Sequence, residues 1–150
     1  MAVSLRFEFF GEQQVDRRLE GFEARSRDMR PAWDELRDRF VAYEEDWFAS
    51  EGRGGWAPLS PDYARWKATH FPGEPILRRE HTLYDSLMGP DVDVREPAFA
   101  MFGTSDPVAA YHQRGDGNHL PIRRVIDVDD TERAEWARVV QRHLVEEDRQ

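Results

Sequence analysis

The sequence contains no cysteine, which excludes disulfide bridges and every thiolate metal site. A reducing cytoplasm is the compartment expected. No apolar run approaches the roughly 20 residues of a membrane-spanning helix. The opening stretch, MAVSLRFEFFGE, carries Arg6 and Glu8 where a signal peptide needs an unbroken apolar core, so neither leader nor membrane partner is expected. Positive charge is in deficit. Lys and Arg number 21 against 30 Asp and Glu, a formal net charge of −9. That balance opposes general binding to DNA phosphates and to anionic lipid. A Walker loop, a dinucleotide fingerprint and a nucleophile elbow are also missing. Ser86 and the histidines fall in separate predicted elements, so they form no catalytic triad. No cofactor is expected.

What remains is a chain of 150 residues with 39% apolar side chains, including 9 Phe, 5 Trp and 4 Tyr. One domain is the expectation at this length, spanning 1–150. Val3, Leu5, Phe7 and Phe9 alternate with polar residues and predict a half-buried strand. From Glu12 to about Met29, Val15, Leu19, Phe22 and Met29 recur at helical spacing. Pro31 resets the chain, and Trp33, Leu36, Phe40, Tyr43 and Trp47 follow at steps of three and four, the most regular helical stripe in the sequence. SEGRGG at 50–55 reads as a flexible loop. Ser60 and Pro61 read as the cap and first position of a short helix carrying Tyr63 and Trp66. A further helix is expected over Ile76 to Leu87. Val92 and Val94, then Phe99 to Phe102, predict a β-hairpin. Pro107 to Gln113 suggests a helical turn, and Ile122 to Val128 a last strand. Asp129, Asp130 and Glu132 open a final helix with Trp136, Val140 and Leu144 on one face. The predicted class is α/β (α+β): a small antiparallel sheet with helices packed on one face.

His112, Asp116 and His119 are ligand types that zinc accepts. Their spacing matches no zinc motif, and Gly115-Asp116-Gly117-Asn118 reads as a turn. A small metal-dependent enzyme built on these three is the less favoured alternative. Asp127, Asp129 and Asp130 suit the positive end of the helix they precede better than a divalent cation.

Three groups of residues carry a family resemblance. The first is Gly55-Trp56-Ala57-Pro58-Leu59-Ser60-Pro61. The second is Pro75-Ile76-Leu77 followed by Leu83 and Ser86-Leu87. The third is Gly103-Thr104, Ala109-Ala110, His112-Gln113, Gly115, then Pro121 and Arg123. In this order and spacing, over about residues 12 to 128, the chain resembles the bacteriophage virion morphogenesis family of tail-completion and neck proteins. Residues 129–150 would then form a C-terminal acidic helical extension. The chain departs from the family pattern at Glu80-His81, where threonine-glycine is usual, at Arg114, where an aromatic is usual, and at Arg124, where proline is usual.

The resemblance implies a structural virion protein of the neck or head-proximal tail end, acting as a tail-completion or tail-terminator protein and without catalysis. A head-closure connector or a minor capsid or tail subunit is the alternative in the same setting. The implied partners are further copies of the chain in a ring, with a hexamer favoured, head–tail connector or adaptor proteins, and the tail tube protein. DNA would pass through without specific binding. Assembly would occur in the host bacterial cytoplasm. The residues expected at interfaces are Arg53, Gly54, Gly55, Trp56, Pro58, Leu59, His112, Gln113, Arg114 and Arg123. Trp56 has two compatible roles, as a plug in the edge of the core and as the anchor of a loop that reaches a neighbour. Arg123 is expected to make a structural or inter-subunit ion pair, with a carboxylate of a neighbouring element favoured. On the expected strand it shares a face with Val125, while Ile122 and Ile126 on the other face belong with the core.

Overall fold

The computed structural model describes residues 12–115, 117 and 119–145. The expected strand at Val3 to Phe9 lies outside them. The elements run α1 (Glu12–Arg27), α2 (Arg30–Ala49), α3 (Pro61–His70), α4 (Thr82–Met88), β1 (Val92–Arg95), β2 (Ala100–Gly103), α5 (Pro107–Arg114) and α6 (Asp130–Val145). Strands β1 and β2 pair antiparallel, with Val92 opposite Gly103 and Arg95 opposite Ala100. The class is α+β, with the small sheet packed against α2. Among the described residues, no helix is long and apolar enough to cross a membrane.

Helix α2 is the axis of the fold. Pro31 occupies its first turn, where the missing N–H is no loss. Its stripe buries Ala32, Leu36, Phe40, Tyr43, Trp47 and Phe48. The N-terminal part of the stripe meets Val139 of α6 and Met29. The C-terminal part meets Trp56, Leu83, Leu87 and Val125. Phe102 of β2 packs on Phe40 with ring centres 6.0 Å apart. The hairpin turn is tied back to the α1–α2 junction: Met29 N–H donates to the Pro97 carbonyl, and Trp33 Nε1 donates to the Glu96 carbonyl, both at 2.9 Å.

The caps expected at Ser60 and Asp129 form, and Asp106 adds one that the sequence analysis did not name. Ser60 Oγ accepts from the Tyr63 N–H, and Pro61 fills the first position of α3. Asp106 accepts from the Val108 N–H at 2.8 Å, with Pro107 opening α5. At α6, Asp129 accepts from the Glu132 N–H at 2.8 Å, and Glu132 in turn accepts from Trp136 Nε1 at 2.6 Å. Helix α6 packs on α1 and α2 and contributes Val139 to the core.

Two expectations need correction. The helix expected over Ile76 to Leu87 is confined to Thr82–Met88. Leu77 (φ 62°) and His81 (φ 61°) are left-handed, which no α-helix of L-residues can contain. His81 stands where the family pattern usually has glycine, the residue that adopts this conformation at no steric cost. The strand expected over Ile122 to Val128 is irregular backbone. Its expected faces hold only in part: Ile126 packs against the core, but Ile122 is 58% exposed, while Arg123 and Val125 are buried. A third difference concerns α1, whose apolar stripe stays open. Val15, Leu19 and Phe22 are 43%, 61% and 44% exposed.

Candidate functional site

The candidate residues come from three separate stretches that the fold brings together: the loop after α2, the end of α5, and the segment 121–129. The loop begins with an unusual backbone. Glu51, Gly52, Arg53 and Gly54 all have positive φ, between 50° and 76°. Left-handed geometry costs roughly 1–2 kcal/mol at each non-glycine residue, so surrounding bonds must hold it. Gly52 N–H reaches the Trp47 carbonyl at 2.8 Å, Gly54 N–H reaches the Ser50 carbonyl at 2.9 Å, and Arg53 N–H reaches Ser50 Oγ at 3.1 Å. Gly52 is the one residue type that fits. A Cβ there would lie 2.5 Å from Cδ1 and Nε1 of Trp56.

Trp56 is 7% exposed and packs edge-on against Phe48 at 5.1 Å. Its Nε1 donates to the Arg124 carbonyl at 2.9 Å, and Trp47 Nε1 donates to the same oxygen, also at 2.9 Å. The plug expected from the sequence is therefore present, and it ties the loop to the segment 121–129. Arg53 sits at the loop surface. It binds the Asp129 carboxylate and lies over Tyr43 at 5.4 Å and Trp47 at 5.9 Å. The Asp129 carboxyl is held below its usual range, first by the Glu132 backbone N–H and then by Arg53. Gly54 and Gly55 are exposed at the tip, Pro58 is exposed, and Leu59 is half-buried.

Side chains take the place of a neighbouring strand along 121–129. Gln113 Oε1 accepts from the Val125 N–H at 2.8 Å and the Ile126 N–H at 3.1 Å, while its Nε2 donates to the Ile126 carbonyl at 2.8 Å. The Tyr43 hydroxyl donates to the Asp127 carbonyl at 2.9 Å and accepts from the Asp129 N–H at 3.2 Å. Arg123 N–H donates to the His112 carbonyl at 2.9 Å. With these groups already bonded, the segment has little left to offer a sheet partner.

Arg123 is 4% exposed. Its Nε donates to the Ala57 carbonyl at 2.7 Å and its Nη2 to the Pro58 carbonyl at 2.9 Å. The planar fork is present, but its acceptors are two successive loop carbonyls. Among the described residues no carboxylate pairs with it, so the version of the expected ion pair that lies within one subunit does not form there. Pro58, Leu59, His112 and Arg123 all line one cavity of about 660 Å³. His112 Nδ1 is buried with no hydrogen-bond partner among the described residues. Burial, and then the Arg123 charge, hold the His112 ring below its usual pKa. Arg114 is exposed at the end of α5.

Of the metal-type trio, His112 and His119 line this cavity, and Asp116 lies outside the described residues. Among the described residues, no group of three or more acidic or histidine side chains is placed to hold a metal ion. Two polar residues of consequence were not singled out in the sequence. Lys67, on α3, is 4% exposed and donates to the Pro75 carbonyl. Glu44, on α2, is fully buried. Lys67 carries no local signal; Glu44 lies four residues after Phe40 and three before Trp47, at the edge of the α2 stripe.

Several of the residues that carry the resemblance have a structural duty. Ser86 and Thr104 share a hydroxyl hydrogen bond of 2.6 Å. Gly115 (φ 66°) leaves room for the Leu120 carbonyl, which a Cβ would approach to 2.8 Å. Trp56, Gln113 and Arg123 form the clasp. Searches of curated proteins and of solved structures found no match. A model of the phage virion morphogenesis family matches residues 11–145, a span that includes α6. With the match covering nearly the whole chain, this protein belongs to the phage virion morphogenesis family.

Proposed function

We propose that the protein is a structural component of the virion neck or the head-proximal end of the tail, where it completes or terminates the tail and offers a docking face for head joining. Membership of the virion morphogenesis family supports the assembly role. The observation that carries it in the geometry is the open stripe of Val15, Leu19 and Phe22 on α1. Apolar side chains aligned on one helix face and left to solvent mark a surface that another chain covers. The clasped loop supplies a second element, because its tip at Arg53, Gly54 and Gly55 is exposed while Trp56 fixes its base.

In this reading the chain acts with further copies of itself in a closed ring. A cyclic arrangement requires a head-to-tail surface on every subunit. Connector proteins on one side and the tail tube on the other are the expected neighbours, and the favoured ring is a hexamer. The net charge of −9 suits a passage that DNA crosses without adhering. The reaction is assembly, with no catalytic step. Imaging of purified virions with this chain traced in the density tests the position. The expected result is a ring at the head–tail junction. Finding the chain in the capsid shell, or nowhere in the particle, would reject the reading.

A further inference from the structure

We propose that the cavity between α3, the segment 76–81 and α5 is a receptor for the carboxylates of an acidic polypeptide segment donated by another protein. Cations converge on this cavity in an otherwise acidic molecule. Lys67, Arg78, Arg79 and Arg123 line it, beside the ring of His112; the one acid in the lining among the described residues is Glu80, which pairs with Arg79 at 2.8 Å. Lys67 and Arg123 are each 4% exposed, and among the described residues neither has an ion-pair partner. A charge out of water is costly unless an opposite charge and hydrogen bonds compensate it. Carbonyl groups do part of this: Lys67 has the Pro75 carbonyl, and Arg123 has those of Ala57 and Pro58. The acids nearest Lys67 are engaged elsewhere. Glu51 accepts from the Ile76 N–H at 3.1 Å, and Glu74 pairs with His81 at 3.2 Å.

Buried polar atoms are left over as well. His112 Nδ1 and Arg78 Nε are buried without partners among the described residues. The Arg78 guanidinium lies 3.7 Å from the centre of the Tyr84 ring, so an aromatic face and not a carboxylate balances it. Burial is the main reason that Lys67 is held below its usual pKa, with Glu74 and Glu51 opposing and with Arg79 and Arg123 adding to the effect. An anion seated among these groups would relieve the repulsion between them.

The size and walls of the cavity select the kind of anion. About 660 Å³ far exceeds a single inorganic ion. Tyr63, Leu77, Val108 and Leu120 give it an apolar side, which suits a peptide with apolar residues beside its acids. Nucleic acid is disfavoured by the surrounding net charge of −9. The cavity stands on its own geometry; only the source of the segment, a neighbouring virion protein, rests on the assembly reading.

The test is titration of the full chain with the peptide acetyl-Glu-Glu-Leu-amide, with acetyl-Gln-Gln-Leu-amide and inorganic phosphate as further arms. Saturable binding of the glutamate peptide is expected, weaker by at least about tenfold for the glutamine peptide and for the variant Arg79→Glu. Arg79 is exposed, so this variant should keep the parent melting temperature, and Lys67→Met serves as a second variant on the buried side. Absence of saturable binding, or binding unchanged in Arg79→Glu, would overturn the proposal. Displacement of the peptide by an equal concentration of phosphate would also overturn it, because the site would then serve a free anion. Head–tail joining that proceeds without the protein would remove the assembly reading and leave the peptide result standing.

Discussion

Glu44 sits in the middle of α2 with both carboxylate oxygens buried and, among the described residues, unbonded. Burial pushes its carboxyl up to about 8 from an ordinary 4.5. Between those values the folded chain keeps this proton and the unfolded chain releases it. The unfolded state then binds fewer protons, so stability falls as pH rises through the window. Glutamine has the same shape and no charge at any pH. Glu44→Gln and the parent should therefore melt alike near about pH 5, and the variant should be more stable near about pH 8.5 by on the order of 4 kcal/mol. For a chain of this size that is on the order of 10 °C in melting temperature. Thermal unfolding of both proteins across pH checks this, and a difference that stays constant with pH would contradict it. Helical spacing sets Glu44 apart from its exposed neighbours Glu45 and Asp46, since it lies four residues after Phe40 and three before Trp47. What local pattern does not contain is the absence of a hydrogen-bond partner among the described residues, which depends on residues far along the chain.

Among the elements, the helices and the hairpin were legible because their signals are local. The stripe of α2, the caps at Ser60 and Asp129, and the alternation at Val92 and Val94 each act within a few residues. The segment 121–129 was not legible. Its alternation resembles a strand, but Gln113, Tyr43, Trp47 and Trp56 supply the hydrogen bonds a strand partner would give. These contacts span 12 to 86 residues, beyond the reach of a periodicity argument. The contacts of Arg123 within the chain were not legible either: its fork grips the Ala57 and Pro58 carbonyls, and no local signal announces that. The clasp makes a prediction at this scale. Trp56→Ala should cost about 3–5 kcal/mol, since the ring is buried. Gln113→Ala should cost about 1–2 kcal/mol and speed amide exchange at Val125 and Ile126. Gln113→Glu keeps the accepting oxygen, so those two amides should stay protected. Hydrogen exchange followed by NMR reads all three variants. Equal protection in parent and Gln113→Ala would show that the segment is held by other means.

The whole molecule combines a core organised on one helix with a surface left incomplete. Helix α6 buries Val139 against α2, and the family match runs through it to residue 145. On the other side, the stripe of α1 is exposed, the loop at 51–54 holds a costly backbone, and one cavity gathers cations with few counter-charges. On the proposed function, an assembled particle would cover the first, engage the second and neutralise the third. The central claim is that the chain acts in joining heads to tails. The most direct measurement is electron microscopy of particles made when its production is blocked, scored beside infectivity. The account predicts DNA-filled heads and separate tails, with joined particles restored when the parent chain is supplied. Joined, infectious particles formed at the normal level without it would contradict the account.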